Sequence, residues 1–409
     1  MSRAAKLVVL SLSVLVLCYV GLGYVLGKTT DDRTYRSLAV YSEVLQHIQQ
    51  DYVEEPNLQK VTSGALHGLL ESLDPLSSYL SPREYAEYKQ KSQNAERGEV
   101  GAALSKRFGY VLVVSVLPGS PAQKAGLRSG DILEAIAGFT TREMSVGQAQ
   151  ILLGGGPGTA VKLEVVRRGR TEPQDVELIR QQLAPLHVLV DKVEGDIGYL
   201  HVPTLEAGRA DEIREKLVQF ERQGVRKLVL DLRDCALGDL SEGIAAARLF
   251  LPSGTIATLR GQTIARQDFA ADPSKVVWKH PITVLISGST SGAAEVLAEG
   301  IGGNHRGELV GERTFGSASE QKLIPLEDGA AVILTVANYD TPSGKPIAED
   351  GVAPTVEVRV ANEDQADTDE ETPAISATEG SGLHTPSPDD PVFRKAIELL
   401  KGEARKAAA

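Results

Sequence analysis

Residues 282–302 read ITVLISGSTSGAAEVLAEGIG, and their reading decides the fold. The five residues ITVLI form a β-branched run with no charge on either alternating face, as a strand buried on both sides requires. GSTSGAAE, residues 288–295, continues through small residues into the helix-forming stretch GAAEVLAEGIG. A buried strand that enters a helix through a tight turn is one unit of a layered α/β fold, and a common way to present a nucleophile. The alternation continues on both sides. DIGYLHV (196–202) reads as a strand, RADEIREKLVQFERQ (209–223) as an amphipathic helix and KLVLDLR (227–233) as a buried strand. LSEGIAAARLFL (240–251) reads as a helix, and ELVGE (308–312) and AAVILTVANYD (330–340) read as strands. Residues 186–360 are therefore expected to form an α/β layered core with its ligand loops at the carboxyl ends of the strands.

Residues 98–185 have a different texture, with short β-rich runs punctuated by glycine turns. YVLVVSVL, DILEAIAG and AVKLEVVRR read as strands, and SPAQKAGL and SVGQAQILLGG as two short helices. This order, and above all GSPAQKAGLRSGDILEAIAG (119–138), resembles a PDZ domain, a small β-sandwich or barrel with two helices. The resemblance implies that a peptide adds a strand to the sheet edge while a loop of backbone N–H groups holds its terminal carboxylate. EVGAAL (99–104) matches that loop, so Val100, Gly101, Ala102 and Leu104 are the expected peptide-binding residues. Gly101 stands where backbone must come close. Before this domain, residues 29–97 show helical spacing in LAVYSEVLQHIQQDYV and LQKVTSGALHGLLESL, then the Pro-bounded turn DPLSSYLSPREY.

The chain of 409 residues is 42% apolar and 24% charged, ordinary composition for a globular protein of two or three domains. A net charge of −12 without a basic block excludes nucleic acid as an expected partner. The two cysteines are Cys18, inside the apolar N-terminus, and Cys235, so no intrachain disulfide is expected. The seven histidines are scattered, without HExxH or paired cysteines, and neither a metal nor another cofactor is expected. Arg3 and Lys6 precede an uncharged run from Leu7 to Gly27, which as a helix at ~1.5 Å per residue spans a bilayer core of ~30 Å. No A-x-A cleavage site follows, and Leu17 occupies the place a lipoprotein box gives to a small residue. Residues 1–28 thus read as an uncleaved signal anchor, held in a bacterial inner membrane through 7–27. The basic end lies in the cytoplasm and the bulk in the periplasm or another extracytoplasmic space. Residues 361–409 read as a disordered acidic tail, rich in Pro, Ser and Thr, with a short terminal helix in PVFRKAIELLKGEARK.

From about residue 40 to 358 this layout resembles the carboxyl-terminal processing peptidases, serine endopeptidases of bacteria and chloroplasts. In that family a PDZ domain delivers a substrate's C-terminus to a Ser/Lys site. DYVEEP, LESLDPLSSYLSPREY, IGYLHV, KLVLDLRD, LVGERTFG and TPSGKPIAEDGVAPTVEV carry the likeness. By that resemblance the nucleophilic serine lies three residues before a glutamate, here Glu295, and its place is held by Gly292. The lysine base of T-F-G-K is replaced by Ser317, while the assisting glutamine remains as Gln321. The glycine loop that helps form the oxyanion hole becomes DLRDCALG, with Leu237 and Gly238 in place of the glycine pair. Gly154 stands where the family often carries arginine.

A Ser/Lys site needs a hydroxyl to attack and an uncharged amine to take its proton, the amine being kept neutral by desolvation. Glycine supplies no nucleophile, and a serine is no base near neutral pH. Ser287, Ser289, Thr290 and Ser291 lie close by, but a G-x-S-x-G elbow needs serine where Thr290 stands. Ser291, the rescue candidate, is one residue early and points roughly 100° away at a helix mouth. Lys322 faces away from Ser317, Ser319 and Gln321 if SASEQKLIPL is extended. Cys235 has no base in its local sequence, His201 reads as packing, His305 as a loop residue, and Asp231 with Arg233 as a structural ion pair. The expected protein is a membrane-anchored PDZ pseudoprotease that binds polypeptide C-termini or regulates an active paralogous protease. The alternatives are an active endopeptidase with a rearranged site and an envelope scaffold with an empty groove.

Overall fold

In the computed structural model, which describes residues 32–93, 97–107, 109–142, 144–167, 170, 172–359 and 389–407, the chain divides into two units after Ala65. The anchor expected at 1–28 and the acidic stretch after residue 360 lie outside the described residues. Among the described residues no helix is long and apolar enough to cross a membrane. The first unit holds helix α1 (Asp32–Asp51) and the start of α2 (Leu58–Glu71), which agrees with the helical spacing read there.

In the second unit, β1 (Ser78–Leu80) and α3 (Pro82–Gln93) precede the PDZ-like segment. That segment runs β2 (Ala102–Arg107), β3 (Tyr110–Val116), α4 (Pro121–Lys124), β4 (Ile132–Ile136), β5 (Phe139–Thr140), α5 (Val146–Leu153), β6 (Ala160–Val166) and β7 (Gln174–Ile179). Its antiparallel sheet has the order β2-β3-β4-β6-β7, with β5 on β4, so β2 is an edge strand. The helices start where their capping chemistry dictates. Ser120 Oγ accepts from Gln123 N ahead of Pro121, and Ser145 and Gln148 exchange the two bonds of a capping box.

The layered core follows with β8 (Leu189–Glu194), β9 (Ile197–His201), α6 (Arg209–Arg222), β10 (Lys227–Asp231), α7 (Leu240–Arg248), β11 (Thr255–Arg260) and β12 (Gln267–Ala270). It continues with β13 (Ile282–Ile286), α8 (Ala293–Gly303), β14 (Glu308–Gly311), β15 (Ser319–Pro325), β16 (Ala331–Asp340), β17 (Val356–Glu357) and α9 (Pro391–Ala407). One sheet has the order β17-β14-β13-β10-β9-β8, parallel except for β8. All five residues of β13 are buried because both faces of this sheet are covered. Ile282, Val284 and Ile286 pack with α6, α7 and α8, while Leu285 on the opposite face packs with Val392, Phe393 and Ala396 of α9. The terminal helix read in the sequence is therefore a covering layer of the core. Arg233 holds its start, donating from Nη1 to Asp390 Oδ2 at 2.6 Å. The second sheet is antiparallel, β1-β16-β11-β12, with β15 on the other edge of β16.

Helix α8 carries a carboxyl group that the packing disfavours. Glu299 lies against Gly303, so close that a Cβ on Gly303 would come within 2.8 Å of its Oε1. Burial pushes its pKa up to about 7 from an ordinary 4.5. The folded state thus keeps a proton that the unfolded chain has already lost. Stability contributed by this group is full below about pH 4.5 and is lost as pH rises towards 7. Glu299→Gln is expected to stabilise the protein by about 2 kcal/mol at pH 8, partial exposure allowed for, and hardly at all at pH 4.5. Urea unfolding at the two pH values reads the difference, and equal gains at both would refute it.

Candidate active site

The turn between β13 and α8 is a sharp strand-to-helix elbow, with glycine at the position that the resemblance gives to the nucleophile. Gly292 caps α8 with φ 60° and ψ −115°, a conformation that glycine adopts freely and other residues only under strain. A Cβ built on it would meet nothing within 4 Å, so the space a nucleophile would fill is open. The turn is fixed from several sides. Thr290 Oγ1 donates to Leu232 O at 2.8 Å, Ser291 N to Cys235 O at 3.0 Å, and Ser289 Oγ to Asp234 Oδ1 at 2.6 Å.

Ser317 lies across this turn, half-buried, with its Oγ 2.5 Å from Ser291 Oγ. The two hydroxyls bond each other, and no lysine or histidine among the described residues hydrogen-bonds either one. Glu295, fully buried, joins the two halves of the site. It accepts from Gly292 N at 2.9 Å, Thr314 Oγ1 at 2.5 Å, Gly316 N at 2.6 Å and Ser317 N at 2.8 Å. Burial pushes its carboxyl above the usual carboxylate range, and these donated bonds pull the other way. In the sequence Glu295 marks only the register of the turn. A glutamate three residues after a helix cap reads as an ordinary capping residue, and its longer-range bonds leave no local trace.

The other expected site residues are placed as follows. Gln321 is exposed, and its Nε2 donates to Ser319 Oγ at 2.8 Å. Lys322 is exposed on β15 opposite Leu334. Cys235 is buried, and burial pushes its thiol well above the ordinary range, against a nucleophilic role. Asp231 and Arg233 form the ion pair read from the sequence, with Arg233 Nη2 donating to Asp231 Oδ2 at 2.6 Å and Tyr199 Oη to the same oxygen at 2.8 Å. Burial alone would raise the Asp231 pKa, but the adjoining guanidinium holds it below the usual range. His201 is half-buried at the end of β9, and His305 sits in a loop at φ 54°.

In the loop that replaces the family's glycine pair, Gly238 is needed for backbone contact. At φ 144° a Cβ would sit 2.3 Å from Leu205 O. Leu237 and Ala236 pack beside a small cluster of Phe315 with Ala103 and Val114 from the PDZ-like sheet. Arg107 lies over the Phe315 ring and donates to Phe315 O at 2.7 Å, and Ser115 Oγ donates to Asp234 O at 2.5 Å. The PDZ-like sheet thus lies directly on the altered loop. In the expected peptide loop, Gly101 has φ 78°, and a Cβ there would be 2.3 Å from Ser120 Cβ. Its carbonyl accepts from Leu117 N, and that of Val100 from Ala122 N, both at 2.8 Å. Val100 and Leu104 are buried, with Ala102 half-buried between them. Beside Gly154, where the family often has arginine, lies the guanidinium of Arg97, whose Nε would be 2.7 Å from an added Cβ. Among the described residues no cluster of three His, Cys, Asp or Glu side chains is arranged to hold a metal ion.

Comparison with known proteins agrees with this architecture. Residues 196–358 match the family model described as Peptidase family S41, and residues 112–167 match that of the PDZ domain. A carboxyl-terminal-processing protease of Picosynechococcus is 33% identical, the alignment covering 78% of this chain and 80% of that one. One of Synechocystis is 32% identical over 87% of this chain and 81% of its own. A carboxy-terminal-processing protease of Bartonella bacilliformis is 31% identical over 80% and 76%. Among solved structures, the photosystem II D1 C-terminal processing protease superposes with a TM-score of 0.67 at 26% identity, over 78% of this chain and 92% of that one. With relatives 31–33% identical aligned along most of both chains, and the S41 and PDZ models both matched, the chain belongs to the carboxyl-terminal-processing proteases of peptidase family S41.

Proposed function

We propose that this chain is a pseudoprotease of its family, one that binds polypeptide C-termini through its PDZ domain without cutting them. One observation carries the reading. The elbow, its glutamate and the facing loop are in place, yet a hydrogen atom stands at residue 292 and a hydroxyl at residue 317. Removing the nucleophile alone costs on the order of 10⁶ in kcat in a serine protease, and here the base is missing as well. The apolar run at 7–27 supports a bacterial inner-membrane anchor with the bulk outside the cytoplasm. The protein's work there is to hold C-termini or to regulate an active paralogous protease.

The Ser291–Ser317 hydroxyl pair favours one other reading, an endopeptidase with a rearranged site in which Ser291 attacks. Incubation with an unfolded polypeptide ending in apolar residues separates the two. The pseudoprotease leaves that polypeptide intact over hours, and Ser291→Ala changes nothing. Cleavage that grows with time and vanishes in Ser291→Ala would establish the rearranged enzyme instead.

A further inference from the structure

The groove expected to take a peptide lies between the edge strand β2 and the helix α5, and a charge closes the row of side chains that lines it. Val100, Ala102, Leu104 and Lys106 alternate onto one face of the strand and its leading loop. Val100 and Leu104 pack with Val146, Ala149 and Leu153 of α5 in one apolar cluster. Lys106, next in the row, reaches across to the head of that helix. Its Nζ donates to Arg142 O and Met144 O, both at 3.0 Å, and meets Glu71 Oε1 at 2.6 Å. The lysine side chain is 5% exposed and that of Glu71 40%. A buried ammonium is costly unless paired. This one finds its anionic partner outside the PDZ domain, on α2, on a side chain that solvent and solutes can reach.

A peptide added to the edge of β2 turns alternate side chains into the groove. With its terminal carboxylate at the loop Val100–Ala102, the last, third-last and fifth-last residues point inward. Stepping two residues at a time along β2, the last lies by Ala102 and the third-last by Leu104, both over the apolar cluster, and the fifth-last lies towards Lys106. We propose that Lys106 is a specificity-determining residue, taking a carboxylate side chain at the fifth position from a polypeptide's C-terminus, a place that Glu71 fills in the peptide-free protein. This rests on the reading of the groove as a site for C-termini and adds to it the class of sequence preferred.

Fluorescent peptides ending Glu-Ala-Ala-Ala-Val and Gln-Ala-Ala-Ala-Val, titrated against the full chain, test it. The unaltered protein binds the glutamate peptide about fivefold more tightly, and Glu71→Gln widens the preference to about twentyfold. That is the order expected of one charge-assisted bond with and without an internal competitor. In Lys106→Met the preference disappears while both peptides still bind. Glu71→Gln keeps an oxygen within reach of Lys106 Nζ, which also retains its bonds to the Arg142 and Met144 carbonyls, so this variant folds even if Lys106→Met does not. Equal binding of the two peptides to Glu71→Gln overturns the role of Lys106 and leaves the groove reading standing. Binding of neither peptide to any variant overturns the groove reading and this proposal with it.

Discussion

Gly292→Ser combined with Ser317→Lys is expected to give a chain that hydrolyses an unfolded polypeptide with an apolar C-terminus, at a rate at least about 10³ above the unaltered protein. The space beside Gly292 is open to a Cβ, so the serine enters without displacing a neighbour. Its backbone stays at φ 60° and ψ −115°, which costs a non-glycine residue about 1–3 kcal/mol, and Glu295 over-determines that conformation by binding the residue's N–H. The same glutamate fixes Ser317 N, so a lysine there starts from a defined backbone opposite the elbow. Buried Ser291 lies beside the side chain at 317, Oγ to Oγ at 2.5 Å, and this half-buried setting desolvates the amine, which favours the neutral form a base requires. Either substitution alone supplies half of a proton transfer and stays inactive. Gel-based cleavage with the single and double variants reads this directly. A folded double variant that cuts nothing would show that the Ala236–Leu237 loop, as well as the two side chains, blocks the reaction.

The features that were legible in the sequence share a physical reason: each is decided within a few residues. The β-branched run 282–286 and the small-residue turn after it specify a doubly covered strand and a helix start by local chemistry alone. The register that puts glycine at 292 and serine at 317 follows from short motifs on either side of the site. The Asp231–Arg233 pair, two residues apart at a strand end, was legible for the same reason. Features that join distant segments were not. Lys106 on an alternating strand reads as a solvated position, because its partners Glu71, Arg142 and Met144 come from two other segments. The docking of α9 through Asp390 spans 157 residues, and the acidic stretch before that helix gives no hint that the sheet face beyond it needs covering. Lys322 lies exposed on β15, but so do Glu320, Gln321 and Leu323, so alternation along the extended chain does not set its exposure apart from theirs.

Glu295→Ala is expected to destabilise the protein by about 3–5 kcal/mol, more than an ordinary core truncation of that size. Removal of the carboxylate, itself fully buried, leaves the N–H groups of the half-buried Gly292, Gly316 and Ser317 and the buried hydroxyl of Thr314 without their acceptor. A buried unpaired donor costs about 1–3 kcal/mol, and only part of that is recovered if water enters the space left behind. The conservative variant sharpens the point. Oε1 receives Thr314 Oγ1 and Gly316 N, while Oε2 receives Gly292 N and Ser317 N. In Glu295→Gln the amide nitrogen must therefore face either the two N–H groups of Gly292 and Ser317 or the Gly316 N–H beside the Thr314 hydroxyl, which alone can turn to accept, so a loss of about 1–3 kcal/mol is expected although volume and shape are kept. A residue that only filled space would tolerate that exchange. Urea unfolding monitored by near-UV circular dichroism measures both losses, with an unchanged slope showing that the unfolded state is not the cause. A cost below about 1 kcal/mol for Glu295→Gln would mean that the carboxylate does not hold the elbow to the 314–317 loop. The geometry offered above for restoring hydrolysis would then lose its support.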